Sequence, residues 1–536
     1  MKKKYLLYFL FPMLFLSAFS CSDNVDKEPV DEVVPITVGP GNDLFGRISD
    51  ASGNPVKGVV VSDGFRCVLT DENGVYQMQR NVSAEFVMYT TPAEYEISLT
   101  YYNYPDFFSK IVPGDDNMFR KDFKLKKLPA VETDFTLICI GDPQCNTKDM
   151  RRFAQETIGD IKKTIAKSSL PVYGLTVGDV VADEPAIFQA MRNIISATDI
   201  PVFHTPGNHD KSVDGTTLPR NAEKYKAVFG PVNYSFDRGQ VHFISMDNVI
   251  FTTNSDYKAG FSQQQVDWLK EDLAHVSKDK MIILMYHMPI RSSTSDNSKV
   301  VLELLKDYKE VHLMVGHTHY NENYIHNNLN NMYEHIHGAA CGAWWHSNIN
   351  GDGTPVGYAV YDVRGTGISK WYYKPSLESE SVQMRLHKGN EITGGQFAEY
   401  SYTNTWLSGI TITDNTVFAN VWNADDDWTV NLFEDGQDKG PMALVPNGES
   451  SGKVVKDPWS IGYHIGVVGR GTPTSQGGTG GTKDNYLVSC KHLYYKEPSN
   501  PNAKIKVVAT DRWGNKHEQE LFTAGKDYAT AIAKSY

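Results

Sequence analysis

Apolar residues along the chain fall into three successive textures. From Asp43 to Leu128 the apolar runs are short, as in LFGRI, VKGVVVSDG, VLTDENGVYQM and FVMYTT, and turn residues separate them, which predicts strands. Asn73 and Gly74 stand between Val68-Leu69 and Val75-Tyr76, and because both tolerate positive φ they predict a hairpin. From Asp134 to about Pro375 the runs DFTLICIG, PVYGLTVG, IPVFHTPG, QVHFISMD, MIILMYH and VHLMVGH read as buried strands. Between them, the apolar spacing predicts helices over Met150–Lys167, Ser262–His275 and Val300–Lys309. Such alternation predicts a layered α/β domain. Beyond Pro375 the texture is strand-like again, in VFANVWNA, WTVNLFED, HLYYKE and KIKVVATDRWGN. The Gly-rich stretch Gly469–Gly481 lacks the GKS or GKT ending of a phosphate loop and reads as a flexible hairpin.

A chain of 536 residues exceeds what one core supports. The expected division is a signal peptide over 1–20, a tether over 21–42, a β-sandwich module over 43–129, an α/β domain over 130–375 and a β-rich domain over 376–536. Lys2, Lys3 and Lys4 precede the apolar stretch Tyr5–Leu16, and small residues follow before Cys21, the layout of a secretory signal. Cys21 is read as the lipidated first residue of an envelope lipoprotein, with ordinary cleavage after Ser20 as the alternative. No later apolar stretch of the sequence is long enough to span a bilayer, so membrane contact is expected through the lipid anchor alone.

Lys plus Arg at 52 against Asp plus Glu at 64 give a net charge of −12, which offers no general attraction for nucleic acid. An anionic substrate therefore requires a local positive site. Apart from Cys21 five cysteines remain, with no CxxC pair, which argues against a disulfide framework. Cys67, Cys139 and Cys490 are read as buried apolar residues. Cys145 is read the same way, with a place at a site as the alternative. Oligomeric state is not legible.

Five polar signals fall where apolar strands of the middle region end: Asp142-Pro143-Gln144, Gly178-Asp179, Gly207-Asn208-His209-Asp210, His287, and Gly316-His317-Thr318-His319. Singly, each has a bland reading as a turn or a capped core residue. Together they are all of metal-ligand type, on the sheet edge where α/β proteins assemble sites.

In this order they resemble the calcineurin-like metallophosphoesterase superfamily, whose motifs are DxH, GDxx(D or Y), GNH(D or E), a lone His after a strand, and GHxH. The resemblance covers Asp134 to about Tyr373 and implies a central two-sheet β-sandwich flanked by helices. It implies that Asp179 bridges two divalent ions, with Asp142 and His319 completing one and Asn208, His287 and His317 the other, while His209 faces the substrate as a catalytic residue that protonates the departing oxygen or stabilises charge on the phosphoryl group. The implied reaction is hydrolysis of phosphate mono- or diesters by a metal-bound hydroxide. With Asp142 and Asp179 the only anionic ligands, two dications leave about +2 for a phosphate on an acidic protein.

Three departures narrow this reading. Gln144 stands where the family has a ligand His; as a ligand it favours Mn or Mg over Zn, so among Mn, Fe, Zn and Mg the expectation is Mn. GDVVAD places Ala182 where Ser/Thr protein phosphatases have Asp and purple acid phosphatases have Tyr, which disfavours both groups. Asp183, one residue late, reads as a surface aspartate starting a helix, with a reach to His209 as the alternative. The DPQ variant also resembles secreted three-domain Bacteroidetes members with β-domains on both sides. The segment Asp43–Leu128 also resembles the β-sandwich modules similar to the carboxypeptidase regulatory domain, on its GxVxDxxGxPVxGVxV and TDxxGxY pattern, which implies a spacer; it contains no His. Trp344 and Trp345 follow the GHTH motif as candidate substrate-binding residues, of which a strand would turn only one toward the site. The competing reading is an inert, metal-stabilised lipoprotein that binds polysaccharide or a partner protein.

Overall fold

The computed structural model describes residues 34–213, 219–291, 295–390, 407, 410–446, 455–461, 464 and 489–521. The expected signal segment and tether up to residue 33, Cys21 among them, and Gly469–Gly481 lie outside the described residues. Among the described residues no helix is long and apolar enough to cross a membrane.

The first module is two small sheets. Val75–Met78, Leu44–Asp50 and Phe119–Arg120 form one, with Phe123–Leu125 also beside Leu44–Asp50; Cys67–Leu69, Val60–Ser62, Phe86–Tyr89 and Phe108–Lys110 form the other. The hairpin expected at Asn73-Gly74 is a crossover instead, because the strand before it pairs with Val60–Ser62 and the strand after it with Leu44–Asp50. The turn itself is present. The Asp71 carboxylate accepts from the Asn73 and Val75 amides, and Gly74 has φ +72°. A Cβ at Gly74 would lie 2.3 Å from the Ile48 carbonyl, so the turn is pressed onto the opposite sheet and delivers its outgoing strand there.

The central region is a pair of sheets. One runs in the order Val202–Thr205, Val172–Val177, Asp134–Ile140, Gly357–Arg364, Gly367–Pro375. The other runs Tyr234–Arg238, Val241–Ser245, Met281–Met285, Glu310–Val315, Met332–Ile336, Glu322–His326. Strand alternation explains why these strands read as unbroken apolar runs. Leu137 and Cys139 face the other sheet, packing in one core with Phe243, Ile283 and Met314, whereas Ile138 and Ile140 turn outward under Phe153, Ile161 and Met191 of the covering helices. On the far side Ile282 and Leu284 lie under Trp268, Leu269 and Val301. Within each sheet the inner strands are parallel, so their C-terminal ends share one edge.

Helical structure covers Met150–Lys167, interrupted by a π-helical turn at Ala154–Ile158. Gln263–Leu273 begins at Ser262, whose hydroxyl and the Gln265 side chain form a reciprocal capping box. Ser298–Leu305 also forms. Helices Phe188–Ser196 and Glu223–Phe229 escaped the sequence reading; each is short, and neither has a side-chain cap at its start. In the C-terminal region two further four-stranded sheets pack face to face, through Val417, Ala419 and Val421 on one and Val430, Leu432, Val507 and Ala509 on the other.

Candidate metal centre

All five polar signals leave their strands at the shared edge, and most do so through a left-handed backbone. Asp142, Gln144, Asp179, His317 and His319 have φ between +38° and +74°, a conformation that costs about 1 kcal/mol or more per residue and persists where the surroundings fix it. Glycines make the close approach possible. A Cβ at Gly207 would lie 2.1 Å from Asp179 Oδ1, and one at Gly316 would lie 2.5 Å from Asp142 Oδ2.

The result is two groups of ligand atoms that share one residue. Asp179, His287 and His317 place one atom each within 4.8 Å of one another, and so do Asp142, Asp179 and His319. Asn208 joins the first group: its Oδ1 is 3.0 Å from His287 Nε2 and 2.9 Å from His317 Nδ1, which are 3.2 Å apart. Ligand atoms about 2.0–2.2 Å from an ion and roughly at right angles stand about 3 Å apart. The donor set therefore fits an ion at that point. His287 Nδ1 lies 2.8 Å from the Val177 carbonyl and donates to it, so Nε2, which faces the group, is the nitrogen that would give up its proton and offer a lone pair to a bound ion. In the second group His319 Nε2 is 3.7 Å from Asp142 Oδ1, while both Asp142 oxygens accept from the His317 amide at 3.0 Å.

Proton affinities follow from this crowding. Burial raises Asp142 to about 8. Burial alone would raise Asp179 too, but the His287 imidazolium, 3.3 Å away, holds it below the usual carboxylate range. Burial opposes charge on His287, yet Asp179 and Asp142 lift it to about 9. Burial, reinforced by His287, pushes His317 down to about 3, and burial pushes His319 to about 4. Without a cation, protons on Asp142 and His287 substitute for it.

His209 stands outside both groups. Its amide donates to Asp179 Oδ1 at 2.8 Å, and its Nδ1 is 2.7 Å from Asp183 Oδ2. Asp183 is thus not a helix-start aspartate: it has φ +56°, its carboxylate orients His209, and Arg220 pairs with its other oxygen. The left-handed turn recovers the one-residue displacement that separates Asp183 from the usual position. Burial would lower the His209 pKa, but the Asp183 hydrogen bond and Asp179 raise it overall. Asp210, buried, accepts from the amides of Gly207, Val180 and Val181 and ties the second and third motifs together. The sequence reading missed Arg220, which carries no motif.

Gln144 is buried, and its Oε1 lies 3.7 Å from Cys341 Sγ, which in turn is 3.9 Å from His319 Nδ1. Cys145 is buried, its thiol facing the Pro143 carbonyl at 3.5 Å. Trp344 and Trp345 are not on a strand but in a turn, at φ +48° and +62°. Trp345 packs in the core: its indole N–H donates to the Pro143 carbonyl at 3.0 Å and Phe153 meets its ring edge-on. Trp344 is 37% exposed, with its ring 5.0 Å from that of His319.

A two-sheet sandwich that gathers carboxylates, an amide and imidazoles at one edge defines a candidate metal-dependent hydrolase domain. Comparison with family models gives the same class along nearly the whole chain. Residues 42–128 match the N-terminal, 135–321 the core and 334–517 the C-terminal model of calcineurin-like phosphoesterases. The chain belongs to the calcineurin-like phosphoesterases, a family of phosphoric ester hydrolases that use divalent metals. Among solved structures it is similar to a purple acid phosphatase from yellow lupin seeds, at 15% identity and TM-score 0.35 over 47% of this chain and 53% of that one. It is also similar to the protein TT1561 of Thermus thermophilus, at 13% identity and TM-score 0.30 over 45% of this chain and 98% of that one. A 5'-nucleotidase from Candida albicans aligns at 12% identity and TM-score 0.29, over 45% and 51% of the respective chains. The chain thus spans about half the length of the lupin and Candida proteins. No curated protein sequence matches it.

Proposed function

We propose that the protein hydrolyses phosphate mono- or diesters outside the cytoplasm, at a pair of divalent ions held by Asp142, Asp179, Asn208, His287, His317 and His319. The observation that carries this reading is the sharing of Asp179 between the two ligand groups. Two ions, when bound, supply an activated water and neutralise charge on the phosphoryl oxygens. The chain's residues do the rest. Asp179 is common to both positions, and its negative charge would reduce repulsion between ions held there. Asp142 and Asp179 alone bring negative charge, so a net positive patch remains for the phosphate on this acidic protein. His209, clamped through Nδ1 by Asp183, presents its other nitrogen as a proton donor for the departing oxygen. Gln144 in place of a ligand His supports Mn over Zn among Mn, Fe, Zn and Mg, a preference that depends on its oxygen reaching an ion. Export and anchoring through Cys21 are supported by the signal-like N-terminus.

The test is hydrolysis of phenyl phosphate and a bis-aryl phosphate by protein stripped with chelator and reloaded with Mn. Turnover that appears on reloading is the expected result. Metal-loaded protein inert toward both esters would count against it.

A further inference from the structure

Two half-exposed aromatic rings border the centre, each against a histidine of a different ligand group. On one side, Trp344 lies 5.0 Å from the His319 ring. On the other, Tyr257 meets the His317 ring edge-on at 6.0 Å and is 38% exposed. Neither placement is incidental to core packing. Trp344 projects from a turn whose residues Gly342, Trp344 and Trp345 all have positive φ, between +48° and +62°. For bulky L-residues this is strained backbone, and its neighbours hold it in place. The Trp345 amide donates to the Cys341 carbonyl at 2.8 Å, Arg152 lies over the Trp345 ring at 5.2 Å, and Arg152 Nη1 donates to the Trp345 carbonyl at 2.9 Å. Trp345 is the anchor, and the turn it fixes thrusts Trp344 toward solvent beside the centre. Tyr257 belongs to the hairpin of Val249–Phe251 and Tyr257–Ala259, where it packs on Phe251 at 5.1 Å. Arg220 steadies the hairpin by donating to the Asn254 carbonyl at 3.1 Å and stacking over Phe251 at 5.9 Å.

We propose that Trp344 and Tyr257 set substrate specificity, by receiving a flat ring carried on the ester oxygen next to the phosphoryl group held at the centre. This rests on the proposed phosphoesterase reading. The aromatic faces select the ring: large, rigid and apolar, they reward contact with another flat face, at a worth of about tenfold or more in binding per stacked ring. Their position selects the linkage. Each ring lies beside a ligand histidine, which puts it within reach of a ring borne directly on the ester oxygen. The charged groups nearby are already committed, Asp183 to His209 and Arg220 and Arg220 to the hairpin, which favours an apolar ring over a hydroxyl-rich sugar.

The test compares phenyl, cyclohexyl, glucose-1- and ethyl phosphates on Mn-loaded protein. Trp344→Ala is expected to lower kcat/KM for phenyl phosphate about tenfold more than for ethyl phosphate, with Tyr257→Ala showing the same bias and Trp344→Phe restoring most of the loss. Metal content should be retained in all three variants. Tyr101→Ala, on an exposed ring of the N-terminal module, should leave the ratio unchanged. Binding of phenylphosphonate, followed by isothermal titration calorimetry, should weaken about tenfold in Trp344→Ala and needs no turnover. Equal losses on phenyl and ethyl phosphates, or undiminished phenylphosphonate binding in both alanine variants, would overturn the proposal. A larger loss on glucose-1-phosphate than on phenyl phosphate would overturn the apolar-ring assignment. If the wild type turns over no ester yet binds phenylphosphonate through Trp344, the phosphoesterase reading fails and the ring subsite stands.

Discussion

Two buried clusters of histidine, aspartate and asparagine lie in this molecule, and they solve opposite problems. Where the C-terminal strands meet the central region, Asp352 accepts from the Asn321 amide and from the Thr354 amide and hydroxyl, and lies within reach of His492 Nε2, at 2.9 to 3.1 Å. Asn420 bridges onward, taking His492 Nδ1 on its oxygen and donating to Asp457 Oδ1. Ser460 Oγ, His464 and Ser347 Oγ extend the chain of contacts. Both carboxylates there are held by several protein donors, Asp352 by the Asn321 and Thr354 amides and Asp457 by the Asn420 side chain and the Ser460 amide. Burial raises Asp457 only to about 6 and pushes His464 down to about 3, so at neutral pH one is an anion and the other neutral. At the sheet edge, by contrast, Asn208 Oδ1, His287 Nε2 and His317 Nδ1 crowd within 3.2 Å with too few protons to join them, while Asp142 gains a proton and His287 a charge. The first cluster is complete as protein. The second lacks that balance, and the proposed cations would supply it. Residue type alone does not distinguish them; the balance of donors and acceptors does.

The contrast can be broken by mutation. His209→Ala should lower kcat on an alkyl phosphate about 10²- to 10⁴-fold and less on a nitrophenyl ester, which leaves without protonation, while metals stay bound. Equal losses on the two esters would make His209 an electrostatic group instead of an acid. Asp183→Asn should reproduce the same substrate bias at about 10- to 100-fold. Asp352→Ala should act on stability, by about 2 to 4 kcal/mol in denaturant unfolding, because it strands His492 and the Asn321 amide. Retained activity per folded molecule is expected, and a selective loss of bound metal would join the two clusters into one.

A gentler separation uses pH. His287, raised to about 9, stabilises the metal-free fold below about pH 6.5, and that contribution is lost as pH rises toward 9. Asp142, raised by burial to about 8, likewise favours the metal-free fold at low pH and destabilises it as pH rises from the usual carboxylate range. Bound cations replace both protons. The gap in Tm between Mn-loaded and chelator-treated protein should therefore widen from pH 6 to pH 9, and a constant gap would contradict the assignment. The smallest expected effect is Gln144→His, a shift of metal preference toward Zn if the side chain reaches an ion. An unchanged preference would match the present contact of Gln144 with Cys341.

Much of this was legible from residue order. The strand-end motifs named the residues now gathered at one edge, because a parallel sheet forces successive strand ends together. What escaped had no local signature. Asp183 looked one residue out of place until its left-handed turn brought it to His209. Arg220 arrives from another loop, and Trp344 is exposed by a turn where alternation suggested a strand. The Asn73-Gly74 turn was visible, but which sheet its strands join depends on the approach of Gly74 to Ile48, a tertiary contact.

The central claim is that Asp179 is shared between two ion positions. Elemental analysis of Mn-loaded, extensively dialysed protein tests it most directly, comparing wild type, Asp179→Asn and Asp352→Ala. Two metals per chain in wild type and Asp352→Ala, and one or none in Asp179→Asn together with a loss of activity of about 10³-fold or more, is the predicted result. Two metals retained by Asp179→Asn, or no metal in folded wild type, would contradict it.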